Sequence, residues 1–99
     1  MKQTRYEVVA GLRIASFEDE LVVFNPTSWE THVLRPAASL LLEAALSAPC
    51  TESQFLAVLE QALDDQDRPQ ATEHARRLLA ELLQLRLLRQ PPADTDADR

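Results

Sequence analysis

Glycine and cysteine are almost missing from this chain: its 99 residues hold one of each, Gly11 and Cys50. A single glycine cannot build a glycine-rich phosphate cradle, and neither G-x-x-x-x-G-K-[ST] nor G-x-G-x-x-G occurs. A single cysteine allows no internal disulfide and no thiolate metal cluster. The zinc-hydrolase pattern H-E-x-x-H and the nucleophile elbow G-x-S-x-G are absent as well. Positive charge is scarce, with ten Lys and Arg against sixteen Asp and Glu and a net charge of −6. That balance works against unspecific nucleic-acid binding and against an anionic membrane surface. Long apolar runs are missing too. The longest, residues 37–42, contains Ser39 and is far too short to span a bilayer. No apolar stretch follows the basic residues of segment 1–5, so no signal peptide is expected. These absences predict a cytoplasmic protein with no nucleic-acid or membrane partner.

What is present argues for one packed domain. The hydrophobic fraction is 45%, enough for a modest core in a chain of this length. Residues 12–15 alternate apolar and polar, as a half-buried strand does. Leu21, Val22, Val23 and Phe24 are apolar on both sides, the pattern of a central strand with both faces covered. Segment 16–20 between them is polar and acidic and predicts a hairpin connection. Asn25-Pro26-Thr27-Ser28 reads as a turn, and residues 31–34 follow as a third strand. Three short strands in a meander result, with neighbours antiparallel.

Three helices are predicted next. Pro36 suits a first helical turn, and residues 37–46 make the helix body. Thr51-Glu52-Ser53-Gln54 is a capping box that opens a second helix, whose stripe is Phe55, Val58, Leu59, Ala62 and Leu63. Pro69 interrupts a polar loop, and Thr72 is positioned to cap a third helix with Ala75, Leu78, Leu79, Leu82, Leu85 and Leu88 on its stripe. Pro91-Pro92 ends it. The order β-β-β-α-α-α predicts an α+β fold, a three-stranded antiparallel sheet followed by three helices. Residues 1–90 form the domain, and 91–99 read as a disordered acidic tail.

Sites of chemistry are few. His32 and His74 fall on a strand and a helix 42 residues apart and read either as a shared metal site or as two unrelated polar contacts. Cys50 precedes a helix start, where a thiolate is favoured, but a lone cysteine is equally read as inert. Asp64, Asp65 and Asp67 suggest a calcium loop, yet the sixth and twelfth positions of that loop are Pro69 and Ala75 where Gly and Glu are required. No cofactor, no metal and no catalytic residue are expected, and the protein is not read as an enzyme.

One stretch carries a resemblance. Leu21-Val22-Val23-Phe24, a turn, Ser28-Trp29-Glu30-Thr31-His32-Val33-Leu34 and then Pro36-Ala37-Ala38 resemble the PqqD family of peptide chaperones, especially the branch found beside HPr-kinase-related proteins. The resemblance spans about residues 5 to 90. It departs from the family pattern twice, with Trp29 at a usual turn glycine and Arg86 at a glycine near the end. If Trp29 sits at φ > 0, it is strained by about 1–2 kcal/mol.

The resemblance implies a winged-helix-like domain in which a leader peptide adds as an extra strand to the third strand, in the groove beside the third helix. Carried onto this sequence, Thr31, His32, Val33 and Leu34 supply the strand edge, with Val33 on the face opposite His32 and Leu34. The third helix supplies the other wall, including Arg76, Arg77 and Leu79. Those arginines read either as a basic wall for an acidic leader or as exposed pairs with nearby glutamates. Trp29 reads either as an exposed anchor or as a ring lying over its own sheet. The implied partners are a precursor (leader) peptide and a radical SAM or kinase-like modifying enzyme, in PQQ biosynthesis or a related pathway. A homodimer through the exposed edge is a further expectation. The competing functions are a scaffold subunit for a partner enzyme and a winged-helix DNA-binding regulator.

Overall fold

Alternation and two tight connections build the main sheet. The computed structural model describes residues 4–91. Strands β2 (Arg13–Phe17), β3 (Glu20–Asn25) and β4 (Glu30–Leu34), preceded by β1 (Arg5–Val8), form an antiparallel meander in the order β2-β3-β4. Ile14, Val23 and His32 share one row, and Leu21 lies opposite Leu34. Leu21, Val23 and Leu34 are buried on this inner face. The alternate residues Val22 and Phe24 point to the outer face and are only half-buried. The expectation that both faces of β3 are covered is therefore corrected. All three helices follow this sheet in sequence, and the first of them packs directly on its inner face.

The three helices are α1 (Pro36–Ser47), α2 (Glu52–Ala62) and α3 (Ala71–Gln84). Pro36 stands in the first turn of α1 as expected. The capping box of α2 is complete: the Gln54 amide donates to the Thr51 hydroxyl at 3.2 Å, and the Thr51 amide donates to the Gln54 side chain at 2.8 Å. Thr72 does not cap α3. A 3₁₀ turn over Arg68–Gln70 runs directly into the helix, so α3 starts earlier, at Ala71. Phe55, Leu41, Leu42, Leu59, Leu82 and Leu87 are fully buried in the common core.

The third helix also stops sooner than its leucine stripe predicts. The Leu87 amide bonds the Leu82 carbonyl and the Arg86 amide the Leu83 carbonyl, both at 3.0 Å. This is a Schellman ending with Arg86 at the left-handed position, φ 64. The chain then turns into β6 (Leu88–Arg89), which pairs with β1; β5 (Cys50–Thr51) pairs on the other side of β1. This second sheet, β5-β1-β6, is held by pairing between distant segments and has no alternation long enough to read. The acidic tail expected at 91–99 lies outside the described residues except for Pro91.

One buried polar side chain ties the layers together. The Ser39 hydroxyl accepts from the Leu21 amide at 3.0 Å and donates to the Leu34 carbonyl at 3.1 Å. Ser39→Ala strands both groups in the core and is expected to lower unfolding free energy by about 1–3 kcal/mol in urea denaturation.

Backbone strain gives the opposite sign. The single glycine takes φ 87, while Glu18, Trp29 and Arg86 take φ 60, 63 and 64 with side chains attached. Arg86→Gly removes a Cβ penalty of about 1–2 kcal/mol and loosens the unfolded chain by less. The expected net gain is about 0.5–1 kcal/mol, seen as a rise in Tm of several degrees.

Candidate functional site

The Ser39 bridge also settles which way the backbone of β4 faces. It links the Leu21 amide to the Leu34 carbonyl, so these two groups point at each other across the β3–β4 ladder. Antiparallel pairs alternate between bonded and unbonded. Val23 opposite His32 and Asn25 opposite Glu30 therefore belong to the bonded class. Thr31 and Val33 fall between them and direct their amides and carbonyls away from β3. Among the described residues no strand pairs with that side of β4. Val33 is 63% exposed on the outer face, while the Leu34 side chain is buried in the core.

A groove lies beside this edge. It has a volume of about 430 Å³ and is lined by Ser28, Glu30 and His32 from the β4 side and Gln84, Leu85 and Arg86 from the end of α3. The floor has an unusual atom. His32 Nε2 is buried with no hydrogen-bond partner, and its nearest charged neighbour is the Glu30 carboxylate at 3.6 Å. A buried, unpaired ring nitrogen carries a desolvation penalty that a bound polar group can relieve. Arg86 also lines the groove and makes no ion pair among the described residues.

The other expected wall residues lie elsewhere. Arg76 donates to Glu52 at the start of α2, at 2.8 Å, and that carboxylate holds the guanidinium charged. Arg77 pairs with Glu73 one turn earlier, at 3.3 Å. Leu79 is buried in the core. Helical spacing instead places Leu78 and Glu81, seven and four residues before Leu85, on the flank that ends at the groove. The structure thus brings Glu30 and His32 together with Gln84, Leu85 and Arg86, and turns Arg76 and Arg77 to their own carboxylates. The one available signal for the groove's far wall was Arg86 at a glycine position.

The remaining candidates have ordinary roles. Cys50 is buried, its thiol donates to the Ala44 and Ala48 carbonyls, and burial pushes its pKa up, away from a reactive thiolate. Asp64 caps the turn into the 3₁₀ segment through its carbonyl, and Asp65 pairs with Arg68. Among the described residues no group of three or more His, Cys, Asp or Glu side chains could hold a metal ion. No helix of the described residues is long and apolar enough to cross a membrane. Trp29 combines both expectations: it meets Phe24 edge-on, centroids 6.0 Å apart and planes at 77°, yet stays 80% exposed.

Comparison with known proteins agrees with this architecture. A search of solved structures finds TbiB1 in complex with the TbiA(beta) leader peptide, with a TM-score of 0.71 and 17% identity, covering 93% of this chain and 99% of that one. At that identity the likeness establishes the shared fold. No curated protein matches the chain. The sequence profile of coenzyme PQQ synthesis protein D matches residues 20–88, which include β3 and β4 of the main sheet, all three helices and the groove. By that match over most of its length, the chain belongs to the PqqD family.

Proposed function

We propose that this protein is a non-catalytic recognition module that binds a precursor peptide in extended form along β4 and presents it to a modifying enzyme. The observation that carries the reading is the free side of β4, where Thr31 and Val33 direct four backbone groups outward next to an open groove. An extended peptide can pair with such an edge and place alternate side chains in the groove. The fold it shares with TbiB1, solved with a leader peptide bound, supports the same reading. Radical SAM or kinase-like enzymes are the partner classes that fit a PqqD-family presenter, and the cytoplasm is the compartment that fits both.

Pairing fixes the geometry. A peptide residue opposite His32 points its side chain to the inner face, towards Leu85 and Arg86. Residues opposite Thr31 and Val33 point to the outer face. Four backbone bonds at about 0.5–1.5 kcal/mol each and one or two apolar contacts, less the ordering of the peptide, give affinity of about micromolar order. The Arg76 and Arg77 charges are already matched by Glu52 and Glu73, so Arg86 is the cation we assign to an acidic peptide residue.

Two measurements check this. Titrating a cognate precursor peptide into isotope-labelled protein should move the amides of residues 30–35 and 81–87; no shifts at several hundred micromolar, or shifts confined to α2, would count against the edge. Val33→Pro removes an outward amide without breaking a bond to β3. It should weaken peptide binding by about tenfold or more while changing stability by less than about 1 kcal/mol.

A further inference from the structure

The groove beside β4 holds an atom that the folded chain leaves unsatisfied. His32 Nε2 is buried without a hydrogen-bond partner, though the His32 side chain keeps 19% of its surface exposed. Its neighbours in the same row of the sheet, Ile14 and Val23, are apolar. The Glu30 carboxylate stops 3.6 Å from Nε2, beyond hydrogen-bond reach, and meets the Ser28 hydroxyl at 3.5 Å. Across the groove the Arg86 guanidinium is exposed and makes no ion pair among the described residues. A leucine at position 32 would be close to histidine in size and leave no polar atom unpaired. The folded chain alone gives the imidazole no use.

Strand pairing brings one peptide side chain against that atom. His32 forms its bonded pair with Val23 of β3. On its free side an antiparallel peptide therefore makes the narrow, unbonded kind of pair, with Cα atoms about 4.5 Å apart and side chains at their closest. The peptide side chain at that position lies on the inner face, over His32 and inside the groove. Its chemistry follows from what the groove leaves open. A hydroxyl can answer Nε2 but does not neutralise the guanidinium. A Lys or Arg can answer Glu30, but it meets Arg86 with like charge and leaves Nε2 bare. A carboxylate has two oxygens and accepts from both donors at once. Glu30 opposes it, yet the Glu30 side chain is 64% exposed and free to turn towards water.

We propose that this groove reads a carboxylate: an aspartate or glutamate of the bound peptide, at the position facing His32, accepts from His32 Nε2–H and from the Arg86 guanidinium, while Glu30 swings out to admit it. The inference rests on strand addition at β4. It goes beyond that reading by naming the peptide residue that the groove selects and the side chains that select it. Each of three groove residues then has a role with its own sign: His32 and Arg86 attract the acid, and Glu30 repels it. The backbone edge alone binds extended segments alike. A peptide with an apolar or basic residue at this position leaves Nε2 buried and unpaired, and the groove discriminates against it.

The test selects random peptides of about twelve residues, displayed on phage, against the full chain and against Val33→Pro. Peptides held by the first and lost on the second engage the β4 edge. Synthetic copies are then titrated into wild type, His32→Leu, Arg86→Gln and Glu30→Gln. The expected result is a shared Asp or Glu at one position of the edge-dependent peptides. Changing that acid to its amide should weaken binding to wild type by about tenfold or more, and binding to His32→Leu and Arg86→Gln by no more than about threefold. Glu30→Gln should tighten binding of the acidic peptides several-fold, a gain that a damaged fold does not produce. His32→Leu should unfold at no lower urea concentration than wild type, and Arg86→Gln, a change at an exposed side chain, decides the matter if His32→Leu does not fold. Edge-dependent peptides without a shared acid overturn the proposal and leave strand addition standing. So does an acid-to-amide loss that is equal on wild type and both variants, or a Glu30→Gln that weakens binding. No edge-dependent peptide at all overturns strand addition and this inference with it.

Discussion

The Ser39 hydroxyl, placed between the Leu21 amide and the Leu34 carbonyl, sets the phase of the β3–β4 ladder. Once those two groups face each other, alternation leaves no choice for the rest of β4. His32 and Leu34 bond inward to β3, and Thr31 and Val33 turn outward. The same serine sits on α1 and so fixes the helix against the end of the sheet. One buried side chain therefore couples helix docking, strand register and the identity of the backbone groups that a visiting peptide could use.

The second constraint is one-sided cover. The helices come after the meander β2-β3-β4 in the chain and α1 packs on a single face of it, so the sheet keeps one bare face and a bare edge at β4. A sheet finished this way exposes both a row of backbone groups and a patch of apolar side chains. Here the two are physically distinct. The edge offers backbone groups, and the groove beside it holds an unpaired His32 nitrogen, the Arg86 guanidinium and Leu85. The bare face is aromatic, with Phe17 and Trp29 standing clear of it.

Much of this was legible in the sequence where the signal is local. The capping box at Thr51 and Gln54 formed as its spacing requires, and the three strands of the meander lie where alternation put them. The departures at Trp29 and Arg86 from a family glycine pattern were informative too, because both residues adopt positive φ. Features that depend on distant partners were hidden. β5 and β6 are two residues each and exist only because β1 lies between them. The end of α3 was masked by leucines that keep helical spacing through Leu88, although the chain leaves the helix at Arg86. That error displaced the groove: Gln84, Leu85 and Arg86 line it, while Arg76 and Arg77, chosen from the helix sequence alone, have carboxylate partners of their own.

The central claim is that the outward backbone groups of Thr31 and Val33 accept an extended peptide. Amide hydrogen exchange, residue by residue, with and without the precursor peptide, tests it most directly. The account predicts that the Thr31 and Val33 amides exchange fast in the free protein and become protected by about tenfold or more on binding, while the His32 and Leu34 amides are protected throughout. Thr31 and Val33 amides that are already slow without peptide, or that stay fast at saturation, would contradict it.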